Sequence, residues 1–169
     1  SNGEPQFYRF DKPEDERFPK MIELFSRTNY LLQEENGLTP IHIDDSVSSL
    51  SAILLNDAYY QALMDGRENM RGISVLKPEW IIPFKAKAWL DLREKKDVDS
   101  SDIKKHRNDI IRIVSDMVLQ KCILPDEVRK DMEKFIEQFD VTESELKNLK
   151  IRGTKPEDIK RVLQITYLD

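Results

Sequence analysis

The second half of the chain carries apolar residues at steps of three and four, which is the spacing of one face of an α-helix. This spacing predicts a helix over about residues 78–96, a second helix over about 101–120 and a third that begins at Pro125. Two S/T-x-x-E patterns, "TESE" at Thr142 and "TKPE" at Thr154, are typical of capping boxes. They predict two further, short helices near the end of the chain.

Short apolar runs in the first 76 residues are typical of strands. The segment "MIELFSR" predicts a strand with Met21, Glu23 and Phe25 on one face. Because both of its faces carry apolar residues, we expect this strand to be covered on both sides. The segments "QFYRF", "TPIHI" and "GISVL" predict three more strands.

One longer segment, residues 44–66, predicts a helix within this strand-rich part. It begins with serines suited to a helix start, continues with an apolar run and closes on Gly66. The predicted fold class is therefore α+β. A strand-rich part covers residues 4–76, and a helical domain built as a bundle covers residues 77–169.

The composition is that of a charge-rich globular protein, with 39% hydrophobic and 35% charged residues and a net charge of −5. No apolar run approaches the roughly 20 residues of a membrane span, and no signal peptide is visible, so we expect no membrane partner. The single cysteine, Cys122, excludes an intramolecular disulfide framework and predicts a cytoplasmic location. The opening Ser1-Asn2 resembles a cloning scar, which suggests a fragment.

The charge is distributed unevenly along the chain. Residues 85–112 carry nine Lys/Arg and six Asp/Glu, a net of +3, which leaves −8 for the remainder. One interpretation is a solvated helical surface of mixed charge. The other is a cationic ledge for an anion such as a triphosphate or a nucleic-acid backbone.

Lys85 is the most unusual residue of the predicted 78–96 helix. Its neighbours at helical spacing are apolar: Ile81, Ile82, Ala88, Trp89 and Leu92. An ammonium group in an apolar stripe is costly unless a negative group meets it. Two interpretations stand: Lys85 extends to the helix edge or pairs with a structural carboxylate, or it is held in a cleft wall to meet a phosphate.

Two further places in the chain could carry acidic or basic chemistry. Asp102, His106 and Asp109 are spaced to lie on one flank of their helix, although helix capping is an alternative role for them. Glu23 lies between apolar residues, as a catalytic carboxylate on a central strand does; a solvated glutamate on an edge strand is the alternative. The sequence has no glycine-rich phosphate loop, so it contains no complete active site by itself.

Four blocks of the sequence resemble one family in their order and spacing: "FYRF…P…MIELFSR", "SLSAILLNDAYY", "LKPEWIIPFKAKAWLDL" and "VDSSDIKKHRNDIIRI". They are similar to the later part of bacterial nucleotidyltransferase-like proteins related to the AbiEii toxins of toxin–antitoxin systems. The resemblance covers most of residues 7–118. It implies a mixed sheet of the polymerase-β nucleotidyltransferase type, followed by a helical domain.

The resemblance also implies positions for the active site. The family's first block is a Gly-Ser turn followed by a D-x-D-type acid pair that binds Mg²⁺; it is absent here and expected upstream. Lys85, followed by Ala88, matches the family's K-x-x-A lysine. Asp109 matches its aspartate, with Asn-Asp in place of the commoner Arg-Asp. Glu23 matches a third acid that assists the metal.

The activity implied by the resemblance is the transfer of a nucleotidyl group from a nucleoside triphosphate to an unknown acceptor. Mg²⁺ and the triphosphate are the cofactors expected for the full-length protein, with neither bound tightly to these 169 residues. Residues expected to contact the nucleotide are Lys85, Lys87, Arg93 and His106. An antitoxin or an RNA acceptor is an expected partner. The alternative function is a non-catalytic α+β module that docks a partner protein such as an antitoxin.

Overall fold

The computed structural model describes residues 9–11, 13–17, 19, 21–23, 25–27, 38–41, 50–95 and 99–169. In this part the chain is mixed α+β and mostly helical, as the predicted fold class requires. The chain divides into two compact units, residues 1–60 and 61–169. The domain boundary predicted at residues 76–77 stays a prediction, although the last described strand does end at Leu76.

The first unit contains two small sheets. Strand β1 (Arg9–Asp11) pairs antiparallel with β2 (Met21–Glu23). In the other sheet, β3 (Phe25–Arg27) runs parallel to β5 (Leu50–Leu55), and β4 (Leu38–Ile41) lies antiparallel on the other side of β5. The second sheet is therefore mixed, with β5 as its central strand.

Two predictions for this unit are wrong. The segment "MIELFSR" is not one strand, because β2 and β3 belong to different sheets. The helix predicted over residues 44–66 is a strand at Leu50–Leu55, and helix α1 (Asp57–Asp65) begins only after Asn56, whose side-chain oxygen accepts the Tyr59 N–H. An apolar run fits a helix or a buried strand equally well, and here pairing with β3 and β4 satisfies its backbone on both sides. The predicted strands in "QFYRF" and "TPIHI" are confirmed in part by β1 and β4.

The second unit opens with a hairpin. Strand β6 (Arg67–Met70) pairs with β7 (Ile73–Leu76), and β7 confirms the strand predicted in "GISVL". The two-residue turn, Arg71-Gly72, has positive φ angles of 54° and 85°, as type I′ hairpin turns require.

Five helices follow, of which the apolar spacing predicts the first three and the S/T-x-x-E patterns the last two. Their bounds are Pro78–Glu94 (α2), Ser100–Asp116 (α3), Asp126–Gln138 (α4), Glu143–Asn148 (α5) and Pro156–Tyr167 (α6). The capping box predicted at Thr142 is confirmed at the start of α5. The start predicted for α6 is wrong by one position, because Lys155 and not Thr154 precedes the helix, and its N–H is bonded to the Asp158 carboxylate.

Helix α2 is central to the second unit and packs against both α3 and α4. Towards α4 the contact is aromatic: the Trp89 ring meets Phe135 edge-on with centroids 5.3 Å apart, and Phe135 lies 4.6 Å from Phe139. All three residues are buried. Burying side chains of this size contributes about 1.5–3 kcal/mol each, so this cluster fixes α2 within the unit.

Gly66 allows α1 to end directly against α2. A Cβ atom at this position would lie 2.3 Å from Cγ of Trp80, which is far inside van der Waals contact. The glycine predicted to terminate the helix is therefore required for close packing on the first turn of α2.

A proline inside α2 links this helix to the end of the chain. Pro83 has no N–H, so the carbonyl of Glu79 four residues earlier lacks its usual helical donor. The Tyr167 hydroxyl at the end of α6 donates a 2.5 Å hydrogen bond to that carbonyl. The polar group that the proline leaves open is thus satisfied by another helix.

Candidate functional site

The Lys85 ammonium meets the Asp109 carboxylate, across the contact between α2 and α3. The Nζ–Oδ2 distance is 2.6 Å, and the two side chains are 25% and 28% exposed. Lys85 borders the buried face of α2, of which Ile82 and Ala86 are fully buried members. The lysine in the apolar stripe therefore has its negative partner within the protein.

The pair leaves part of Lys85 available. An ammonium group has three protons to donate, and Asp109 accepts one hydrogen bond from it. Within the described ranges, Lys85 makes no other ion pair. Two protons of the ammonium therefore remain for a second acceptor, such as a phosphate oxygen, while Asp109 keeps its own hydrogen bond.

His106 lies next to this pair on α3 and is half-buried. Its Nδ1 atom is buried and has no hydrogen-bond partner in the described part of the chain. Burial lowers the pKa of His106 below 6.5, helped by the positive charges of Lys85 and Lys105 and opposed by Asp109 and Asp102. The imidazole is thus neutral at pH 7 and brings no charge to an anion.

The other two residues expected to contact a nucleotide are not brought to Lys85. Lys87 forms an ion pair with Asp91, and its position two residues after Lys85 places it about 200° around α2. The Arg93 guanidinium lies over the Trp89 ring, 4.1 Å from its centroid, and donates to the Gln138 side chain of α4. Both side chains are engaged in contacts within the protein.

Glu23 has a described backbone only. It is the last residue of β2, in register with Arg9 of β1, and its side chain lies outside the described residues. Within the described ranges β2 pairs with β1 alone, so the central-strand position considered for Glu23 is not found there. The distance of its carboxylate from Lys85 stays untested.

Arg107 has a substantial role that the sequence did not indicate. Its guanidinium makes a two-pronged contact with the Glu145 carboxylate of α5 and also donates to the Asp140 carbonyl. It lies over the Phe139 ring as well, 5.3 Å from the centroid. The hydrogen bond from Arg107 is the main reason that the pKa of Glu145 lies below its ordinary value of 4.5. The "S/T-x-x-E" signal marked Glu145 as a capping residue, but nothing near Arg107 pointed to a partner so far along the chain.

Two further features of the described residues bear on the chemistry available to them. Among them no three His, Cys, Asp or Glu side chains are grouped as metal ligands would be. Cys122 is buried, and this burial raises the pKa of its thiol to about 12, so it is not a thiolate nucleophile at neutral pH.

None of the described helices has the length and apolar character needed to cross a membrane.

Comparisons of the chain with models of protein families, with curated proteins and with solved structures found no match in any of the three. The resemblance to nucleotidyltransferase-like proteins therefore rests on the four sequence blocks alone.

Proposed function

We propose that this chain is the C-terminal part of a nucleotidyltransferase, and that Lys85 and Asp109 form one half of its active site. The observation that supports this most is the 2.6 Å contact between the Lys85 ammonium and the Asp109 carboxylate. The two residues that the resemblance matches to the family's lysine and aspartate lie 24 positions apart in the sequence, on different helices. They nevertheless meet at a partly exposed place.

The chemistry of nucleotidyl transfer explains why such a pair is useful. An oxygen of the acceptor attacks the α-phosphorus of the triphosphate, the bond to the bridging oxygen breaks, and pyrophosphate leaves with the electron pair. A compact ammonium such as that of Lys85 offsets the negative charge of the phosphates. Asp109 keeps the ammonium in place and is the candidate to orient the acceptor hydroxyl.

The proposal assigns metal binding to residues outside the described site. Mg²⁺ would supply positive charge that stabilises the phosphoryl group being transferred. A D-x-D-type acid pair upstream would hold it. We therefore expect these 169 residues to bind a nucleoside triphosphate weakly and to transfer nothing.

A titration of the purified chain with ATP and GTP, followed by the ¹⁵N signal of the Lys85 ammonium and by backbone amide shifts, tests this proposal. We expect shifts centred on Lys85 and Asp109, and a loss of affinity of about tenfold, which corresponds to 1.4 kcal/mol, in Lys85→Met. Lys87→Met is the matched control, because it removes a lysine of the same helix from a different side.

Two results would contradict the proposal. Equal affinities of Lys85→Met and Lys87→Met for the triphosphates would show that Lys85 is not a phosphate ligand. Nucleotidyl transfer by the 169 residues alone would show that the chain is more than half a site.

A second candidate function, a module that docks a partner protein, is favoured by a different observation. Between α3 and α4 the side chains of Val118 and Ile123 are 88% and 89% exposed. Apolar side chains left in water are common at protein interfaces. A triphosphate titration that moves no signal near Lys85, together with binding of a partner that Val118→Ser and Ile123→Ser weaken, would favour this second function.

A further inference from the structure

His106 and Asp109 are three residues apart in α3, so they are neighbours on one side of the helix. Asp109 holds the Lys85 ammonium on that side. The Nδ1 atom of His106 is buried without a partner in the described part of the chain. A buried polar atom left without a hydrogen bond destabilises the folded state, so a nearby group able to satisfy it is expected.

The charges around His106 indicate what that group is. A neutral imidazole carries a proton on one nitrogen and a lone pair on the other. The charged groups that act on His106 are Lys85 from α2, and Lys105, Asp109 and Asp102 from α3 itself. Of these four, Lys85 is the cation held by Asp109, the neighbour of His106 on the same side of α3. A lone pair on the buried Nδ1 complements this cation, whereas an N–H group there would oppose it.

We propose that His106 is a positioning residue for Lys85, with the Nδ1 lone pair as a second acceptor for the Lys85 ammonium and the proton on Nε2. This arrangement requires the Lys85 side chain to rotate, because Nδ1 has no hydrogen-bond partner in the described part of the chain. Lys85 stays in place when Asp109 turns to an acceptor hydroxyl. The role toward a nucleotide rests on the proposed function, but the arrangement of His106, Lys85 and Asp109 does not.

Long-range ¹H–¹⁵N spectra of the imidazole test the arrangement without any ligand. We expect the Nε2–H tautomer of His106 between about pH 6 and 8. Lys85→Met should raise the pKa of His106, because a neighbouring cation is removed. Lys105→Met should raise it by a smaller amount, and the exposed Lys104→Met serves as the control that leaves it unchanged.

Replacement of His106 tests the positioning role. Asparagine places an amide oxygen near the position of Nδ1, whereas glutamine places its amide near Nε2. We expect His106→Asn to keep the Lys85 ammonium signal protected from exchange with water, and His106→Gln and His106→Leu to lose that protection. If a triphosphate binds, its affinity should fall about threefold or more in His106→Gln relative to His106→Asn.

The outcomes separate this inference from the proposed function. An Nδ1–H tautomer, or a pKa of His106 that Lys85→Met leaves unchanged, would overturn the inference. If the tautomer and the pKa change are found but triphosphates shift no signal, the arrangement of the three residues stands and the nucleotidyltransferase proposal fails.

Discussion

Two of the ion pairs in the described part of the chain join α3 to neighbouring helices. They differ in how many acceptors the cation contacts and in how exposed its side chain is. Lys85 reaches Asp109 from α2 through one hydrogen bond, and both side chains keep about a quarter of their surface in water. Arg107 reaches from α3 to α5, where it contacts both carboxylate oxygens of Glu145 and the Asp140 carbonyl, and its side chain is only 18% exposed. The Arg107 guanidinium thus contacts three acceptors within the fold, whereas the Lys85 ammonium contacts one acceptor at a more exposed place.

This difference separates a structural ion pair from one that can accept a ligand. A planar guanidinium that matches a carboxylate in two places is well suited to joining two segments. An ammonium is a compact charge that can be shared between partners. The number of acceptors that each cation contacts, together with its exposure, therefore says more about function than the presence of an ion pair.

The largest effect on stability is expected when the Arg107 pair is removed. Arg107→Met should lower the free energy of unfolding by about 2–3 kcal/mol, because it removes two hydrogen bonds to the Glu145 carboxylate, one to the Asp140 carbonyl and the contact with Phe139. Urea unfolding measures this value, and Arg107→Lys, which keeps the charge, should recover part of it. A loss below about 0.5 kcal/mol, the scale of an ordinary surface substitution, would remove the contrast between the two pairs.

Removal of the Lys85 pair is expected to cost much less. Lys85→Met should change the free energy of unfolding by less than about 1 kcal/mol, since partly exposed ion pairs contribute little and methionine suits the apolar edge of α2. The double variant Lys85→Met/Asp109→Leu should be as stable as the parent or more so, because no unpaired carboxylate remains. A loss as large as that of Arg107→Met would show that the Lys85 pair is structural.

The smallest effect expected is a change in acid sensitivity. The pKa of Glu145 is lowered in the folded protein, so its contribution is complete above its ordinary pKa of 4.5 and is lost as the pH falls through the lowered value. The free energy of unfolding is to be measured from neutral pH to about pH 3. It should fall less steeply with acid in Glu145→Gln than in the parent. Asp109→Asn is the comparison from the other pair. Parallel curves for the parent and Glu145→Gln would contradict the assignment of Arg107 as the stabilising partner.

The sequence predicted the helices and one side of the candidate site for identifiable reasons. Apolar spacing predicted α2, α3 and α4. The cost of burying the Lys85 ammonium made a negative partner one of two interpretations, and the structure shows that partner to be Asp109. What it missed depends on contacts distant in the sequence. The apolar run of β5 fits a helix as well as a strand. It is a strand because it pairs with β3 and β4, which lie elsewhere in the sequence. The partner of Arg107 likewise becomes visible only when α5 is folded against α3.

Pro83 has a consequence for the register of α2. Sliding the helix by one residue would move the open Glu79 carbonyl away from the Tyr167 hydroxyl, and no other carbonyl of the helix is left open by a proline in its place. The hydrogen bond between Tyr167 and the carbonyl that Pro83 leaves open therefore fixes the register of α2 against the end of α6. Because Lys85 follows Pro83 by two residues, the same register determines the direction in which the Lys85 side chain projects from α2. Tyr167, far from Lys85 in sequence, thus helps to orient the lysine.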